Sequence, residues 1–351
     1  MRGELNSRER WGLLLIDEFP DRPPVWPLIT SHAAEVFGCD LASYSTSGRI
    51  LAEAQIAAQQ YYGHEGLSVF TDVGILAEAY GSVYAIQTDD LPQLTRPLFE
   101  SPEQIVLLDS LDPSRSGRLP LYLEAVERLF SAKGDVLPVF AFIPAPFTTA
   151  GGLRGVEGLL MDTVVAPETV HTILEIALDG AIKLADACTV RGALPVIVDP
   201  LASGSVISRR TFTEFALPYL QRLIRHLHRY DLDVTLHICG RTATHLDLIA
   251  QTGADLFSFD QVGFNTISAS PTAASRLVGN LPPHELQFGA GGDLTHDCSA
   301  ILTAGCTHPR GFVFSTGCEA PVNSDPDRIR KMIEIGRATK YCKSFSSMEL
   351  A

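Results

Sequence analysis

Apolar residues recur along this chain in two alternating ways. Short, nearly continuous apolar runs occupy 22–28, 66–72, 136–142, 194–199, 233–240, 255–260, 286–289 and 311–315, most of them ending on glycine or aspartate. Between most of these runs, apolar residues return every three or four positions, over 48–63, 118–133, 167–190, 211–230, 244–252 and 327–340. The first kind reads as buried strands, because a strand covered on both faces shows no polar alternation; the second reads as helices with one apolar stripe. A further helix is expected over 7–17 with Ser7 as its N-cap, and the polar stretch 82–95 reads as a small hairpin. Eight strands alternating with helices predict a parallel sheet, and their continuous apolar character favours closure. The expected fold class is α/β, a (β/α)8 TIM barrel with an N-terminal helical extension. The segment between Asp293 and Gly311 is short, so an abbreviated helix is expected between the seventh and eighth strands.

Composition narrows this picture. A barrel of this class spans roughly 200 to more than 400 residues, so a chain of 351 is expected to form one domain over 1–351. Hydrophobic residues make up 46% and charged residues 19%, enough for a large core and against extended disorder. The net charge of -14 and pI near 5.1 oppose a nucleic-acid partner, which needs a basic face. The first apolar run, Trp11 to Ile16, is closed by Asp17 and Glu18 and is too short for a signal peptide or a membrane span. A cytoplasmic location is expected. Seven scattered cysteines do not resemble a disulfide framework; in a reducing compartment they are thiols, free to bind metal.

In a barrel of this kind functional groups collect at the C-terminal ends of the strands, where Asp72, Asp199, His237, Cys239, Asp260, Asp293 and Cys318 are expected. His237 and Cys239 stand two apart in an extended run, so both point to one face. An imidazole and a thiolate so placed make half of a tetrahedral zinc site. Cys318, just past the glycine that ends the last run, is the candidate third ligand, leaving a fourth position open. A strand-end aspartate also serves as a helix N-cap, a reading as good for Asp199 and better for Asp293. Cys298 and Cys306 with His296 and His308 are irregularly spaced and read as an ordinary loop. The run Gly289 to Asp293 reads as a turn that lets backbone approach a ligand, and His226 and His228 as part of a solvated basic face.

Three stretches carry a resemblance. Leu236-His237-Ile238-Cys239-Gly240, then Thr252-Gly253-Ala254-Asp255-Leu256-Phe257-Ser258-Phe259-Asp260, then Ser315-Thr316-Gly317-Cys318-Glu319-Ala320-Pro321 are similar to the uroporphyrinogen decarboxylase superfamily. Within it they most resemble the corrinoid-dependent zinc methyltransferases of the methylcobamide:coenzyme M type. Residues 207–219, with Ser, then Phe, then Pro-Tyr opening a helix, fit the same pattern. The resemblance implies Zn2+ held by His237, Cys239 and Cys318. It implies a methyl group passed between a methylated corrinoid on a partner protein and a small thiol, ether, alcohol or amine. Asp72, Asp199 and Asp260 would orient substrate, accept a proton or support His237.

The decarboxylase branch grips carboxylates with N-terminal arginines, whereas 29–35 here contains none, although Asp72 sits where that branch keeps its catalytic aspartate. Cofactor-free decarboxylation of a cyclic tetrapyrrole is therefore the alternative, and a non-catalytic corrinoid or tetrapyrrole binder a third reading. A corrinoid-carrying protein would have to dock over the strand C-terminal mouth, on the loops after Asp72, Phe147, Ser203 and Gly263, with 144–155 as a mobile cover. Nucleic-acid and membrane partners are not expected, and oligomeric state is left open.

Overall fold

Seven strands lie side by side, all parallel, in a curled sheet wrapped by helices. The computed structural model describes residues 5–106 and 108–341. In chain order the strands are β1 (Leu67–Val69), a separate antiparallel hairpin of β2 (Val83–Ala85) and β3 (Gln93–Arg96), then β4 (Val139–Pro144), β5 (Leu194–Val198), β6 (Thr235–Ile238), β7 (Leu256–Phe259), β8 (Arg276–Leu281) and β9 (Phe312–Thr316). The main sheet runs β1-β4-β5-β6-β7-β8-β9. Long helices such as Gly48–Tyr62, Leu119–Lys133, Pro167–Thr189 and Pro326–Ala338 cover its outer face, each with an apolar stripe toward the strands. The architecture is a TIM barrel of the α/β class. Among the described residues no helix is long and apolar enough to cross a membrane.

The eighth strand position is reduced to one residue. Val25 makes a single parallel bridge to Phe314 of β9, through Trp26 N–H to Phe314 O (2.8 Å) and Phe314 N–H to Pro24 O (2.9 Å). On its other side Val25 O accepts the N–H of Glu65, just before β1, at 2.8 Å. Three prolines in Pro23-Pro24-Val25-Trp26-Pro27 remove the ladder donors that a longer strand would need.

Alternation along the strands sorts the core into two layers. Phe140, Phe142, Val196, Val198, Leu256, Val278 and Val313 fill the barrel, while Ile143, Ile197, Leu236, Phe257, Leu277 and Phe312 face the helices. The first helix, Ser7–Leu15, plugs the strand N-terminal end, sending Trp11 and Leu14 into the inner layer. Its N-cap is Asn6, one residue earlier than the sequence predicts. Asn6 is the better cap because Glu9 then falls three residues on and returns a bond to the Asn6 N–H at 2.8 Å, completing a capping box. Arg276, buried at the start of β8, holds the plug by donating to Leu14 O and Leu15 O and pairing with Asp17.

The seventh strand of the alternation lies at Arg276–Leu281, and 286–289 is not a strand of the sheet, Gln287 making only an isolated antiparallel bridge to Ser324. The polar start and the Gly279-Asn280 pair disguise it. Glycine is needed at 279 because φ is +149° and a Cβ would stand 2.8 Å from Phe259 O on β7. With the strand moved back, the following helix is a full one, Leu294–Gly305, and Asp293 is its N-cap, accepting from Thr295 N–H and His296 N–H at 3.0 and 3.1 Å.

At the plugged end, the buried Glu65 carboxylate accepts from Arg22 at 2.6 Å, from Val25 N–H at 2.8 Å and from Arg10. Replacing Glu65 with Ala is expected to lower the unfolding free energy by about 3–5 kcal/mol, because Arg22 then stays buried without a carboxylate. Urea unfolding measures this, and a loss below about 1 kcal/mol would mean the cluster behaves like exposed ion pairs.

Candidate metal centre

β6 delivers two of the three candidate ligands. Leu236 and Ile238 pack outward in the helix-facing core, so His237 and Cys239 turn toward the barrel axis at its C-terminal mouth, as their two-residue spacing predicts. Cys318 follows two residues after β9 ends at Thr316, on a bend through Gly317. One ligand atom from each of His237, Cys239 and Cys318 lies within 4.8 Å of the other two. His237 is fixed by its register partner on β7, Ser258 Oγ lying 2.9 Å from Nδ1, and by a hydrogen bond with Cys318.

The two thiols share a hydrogen bond, which shifts them in opposite directions. The bond from Cys318 holds Cys239 below its ordinary value, outweighing the effect of burial. The same bond, with burial, drives Cys318 far above its own. The first proton lost therefore belongs to Cys239.

Asp260 ties the two cysteine loops together. Its Oδ2 accepts the Gly240 N–H at 2.9 Å, next to Cys239, while a Cβ on Gly317 would stand 2.7 Å from its Oδ1, so only glycine lets the Cys318 loop come this close. Asn280 Nδ2 donates to Asp260 O at 2.8 Å and holds the loop from β8. Asp260 thus positions the backbone around both thiols.

The other two candidate aspartates go elsewhere. Asp72 is buried in an ion pair with Arg118 at 2.8 Å, and Arg118 also engages Glu78 at 2.6 Å; burial raises the Asp72 pKa against the pull of that guanidinium. Asp199 Oδ1 accepts from the N–H and the hydroxyl of Thr148 at 3.1 and 2.6 Å, in the first turn of the helix Pro146–Arg154. Among the described residues its Oδ2 has no hydrogen-bond partner, and burial pushes the group up to about 7. Neither aspartate lines the cavity that contains the two cysteines. The capping reading of a strand-end aspartate applies at Asp199 to the helix after β4, the neighbouring strand.

That cavity, of about 240 Å3, is lined by His237, Cys239 and Cys318 and by the apolar side chains of Leu28, Phe70, Phe142 and Val198. Among the described residues Glu319 is its one carboxyl group; Glu319 Oε2 accepts from the hydroxyls of Thr30 and Ser31, and burial raises its pKa. A larger cavity, of about 460 Å3, lies at the plugged end among Arg10, Arg22, Lys133 and Arg337. Glu65 and Asp21 neutralise two of its guanidiniums, so it belongs to the barrel closure.

Leu28, Thr30, Ser258 and Glu319 escaped the sequence reading. Only Glu319 left a usable signal, a charged residue directly after a ligand candidate. Residues 144–155, expected as a mobile cover, form the buried helix Pro146–Arg154, with Arg154 held by Asp162 at 2.7 Å. Arg209 is likewise paired with Asp247. Cys298 and Cys306 are buried on and just after the helix Leu294–Gly305, and His308 Nε2 meets Ser275 O at 2.8 Å. Cys342 lies outside the described residues.

Residues 7–339 match the sequence profile of the family described as "Uroporphyrinogen decarboxylase (URO-D)". The chain is 31% identical over 243 residues to the "Methylated-thiol--coenzyme M methyltransferase" of Methanosarcina mazei, a match covering 68% of this chain and 65% of that relative, just under two thirds of its length. It is 28% identical over 299 residues to "Methylcobamide:CoM methyltransferase MtbA" of the same organism, covering 83% of this chain and 85% of the relative. A solved structure described as "methyltransferase from Methanosarcina mazei" has a TM-score of 0.84 over 95% of this chain and 99% of that one; at 22% identity the likeness is one of fold.

In metal-free protein, iodoacetamide is expected to alkylate Cys239 before Cys318 as pH rises from about 6 to 9, because thiolate is the nucleophile. Peptide mapping of a partial reaction reads the order, and equal labelling of the two would mean that the shared hydrogen bond does not persist in solution.

Proposed function

The chain belongs to the uroporphyrinogen decarboxylase (URO-D) family, and from that membership together with its His-Cys-Cys cluster we propose that it is a zinc-dependent methyltransferase, moving a methyl group between a corrinoid protein and a small thiol. The observation that carries this reading is the convergence of His237, Cys239 and Cys318 within 4.8 Å at the floor of a cavity. Zinc bonds of about 2.0–2.1 Å to nitrogen and 2.3 Å to sulfur imply donor separations of roughly 3.5–3.8 Å, which small side-chain rotations reach. One imidazole and two thiolates suit Zn2+, and three protein ligands leave a position for a substrate atom. Bound there, Zn2+ would supply Lewis acidity that makes a substrate thiol more acidic.

The residues around the cluster support that role. Ser258 at His237 Nδ1 keeps Nε2 for the metal, and Asp260 holds both cysteine loops in place. The apolar wall of Leu28, Phe70, Phe142 and Val198 excludes water from the reacting sulfur and strengthens the fields acting on it. A methyl group passing from a corrinoid exchanges a cobalt–carbon bond for a carbon–sulfur bond, and the thiol proton leaves to solvent. The corrinoid is too large for a cavity of about 240 Å3, so its carrier protein meets this chain at the strand C-terminal mouth.

The same size weighs against decarboxylation of a tetrapyrrole, as does the engagement of Asp72 with Arg118.

Cys239→Ser, Cys318→Ser and His237→Ala are each expected to reduce bound zinc from about one per chain to below about 0.1, and methyl transfer from methylcobalamin to a thiol by more than about 100-fold. The circular dichroism spectrum should not change, since the barrel core carries the fold. Metal analysis and the transfer assay on purified protein decide this; a variant that keeps its zinc but loses activity would remove that residue from the ligand set.

A further inference from the structure

The walls of the metal-centre cavity bear on the chemistry of the co-substrate, in an inference that rests on the methyl-transfer reading. Among the described residues no lysine or arginine lines the cavity, and its only imidazole, His237, belongs to the ligand cluster. Arg118, buried near the end of β1, is occupied by Asp72 and Glu78. Among the described residues the one carboxyl side chain on the wall is Glu319. Two hydroxyls, of Thr30 and Ser31, donate to its Oε2, an arrangement that orients a carboxylate as an acceptor; among the described residues no donor meets Oε1. The same cavity is lined by Phe70 and Phe142, ring centroids 5.4 Å apart, and by the aliphatic side chains of Leu28 and Val198.

We infer that the small thiol taken by this site ends in a cationic or hydrogen-bond-donating group, an amine above all, and that Glu319 selects it. An anionic tail such as a sulfonate would leave water for an apolar wall, find no cation and face a carboxylate, so its desolvation would go uncompensated. An ammonium in the same place gains the Glu319 acceptor, in a cavity whose wall also carries two aromatic rings. The cavity, at about 240 Å3, sits below the roughly 300–1,000 Å3 of pockets for drug-sized ligands, so the thiol is short. Glu319 is a specificity residue, acting on the end of the substrate away from the sulfur.

Three thiols on one three-carbon chain test this: 3-aminopropanethiol, 3-mercaptopropanol and 3-mercaptopropanesulfonate. Each is offered with methylcobalamin to the zinc-loaded full-length protein, and each is also titrated by calorimetry without methylcobalamin, with zinc content checked afterwards. The amine is expected to exceed the sulfonate by at least about tenfold in kcat/KM and in binding, with the alcohol between them. In Glu319→Gln, which keeps volume and an acceptor but removes the charge, the amine-to-sulfonate ratio should fall below about threefold. If that variant does not fold, the wild-type ratio decides alone. A sulfonate that matches or beats the amine overturns the inference, and methyl transfer to any of the three would still leave the proposed activity standing. Calorimetry that favours the amine with no thiol methylated would do the reverse, retaining the selectivity and removing the activity.

Discussion

Closure of the barrel at Glu65 is the constraint on which the cavity depends. The eighth strand is a single bridge, so sheet hydrogen bonds alone cannot hold residues 22–30 against β9. Glu65 makes up for this from the other side: its carboxylate takes Arg10, Arg22 and the Val25 N–H, and its own N–H donates to Val25 O. With Val25 fixed, the chain runs on beside β9, where Leu28 N–H donates to Thr316 Oγ1 at 3.0 Å and Leu28 O accepts from Ala320 N–H at 2.9 Å. Leu28 and Thr30 thereby become one wall of the cavity, and Thr30 reaches Glu319. A charge cluster at one end of the barrel thus helps to set the shape of the binding site at the other, through one short, proline-rich segment that Ser315 and Gln55 also hold, at Trp26 O and at Ile29 O and Thr30 O.

The candidate ligands illustrate how a barrel builds a site from residues far apart in the chain. Neither cysteine loop is held by its own strand alone. Asp260 of the intervening strand accepts from one and touches the other, and its main-chain oxygen is held in turn by Asn280 of β8. Four neighbouring strands therefore set the spacing of two sulfur atoms. Three potential metal-binding side chains also crowd together around a hydrogen bond between the thiols, where a bound cation would relieve the cost of ionising both.

Much of this architecture was legible along the chain. Helices with a clear apolar stripe, such as Gly48–Tyr62, Leu119–Lys133 and Pro167–Thr189, lie within a residue or two of where their periodicity puts them. The same holds for β5, β6, β7 and β9, while β1 ends at Val69 and β4 begins at Val139, each inside the longer apolar run expected there. Where a strand was misplaced, at β8, the cause is residues that serve a neighbour and not their own element. In β8, Arg276 serves the N-terminal plug, Gly279 makes room for Phe259 O and Asn280 holds Asp260, so a buried strand carries the composition of a turn. Asp199, read from its strand-end position as a catalytic candidate or equally as a helix cap, accepts from the first turn of a helix that follows the adjacent strand, a partnership visible only once β4 and β5 lie side by side.

The sequence by itself determined what depends on neighbours in the chain: the alternation of strands and helices, and the projection of His237 and Cys239 to one side, since side chains two apart on a strand share a face whatever the surroundings. Only the tertiary structure decided what depends on the register between strands and on where loops come to rest. It brought Cys318 to the pair on β6, put Ser258 behind His237, seated Asp260 between the two cysteine loops and hung Glu319 from Thr30 and Ser31. Local periodicity fixes a direction for a side chain, while distance between remote residues is set by the packing of the whole barrel.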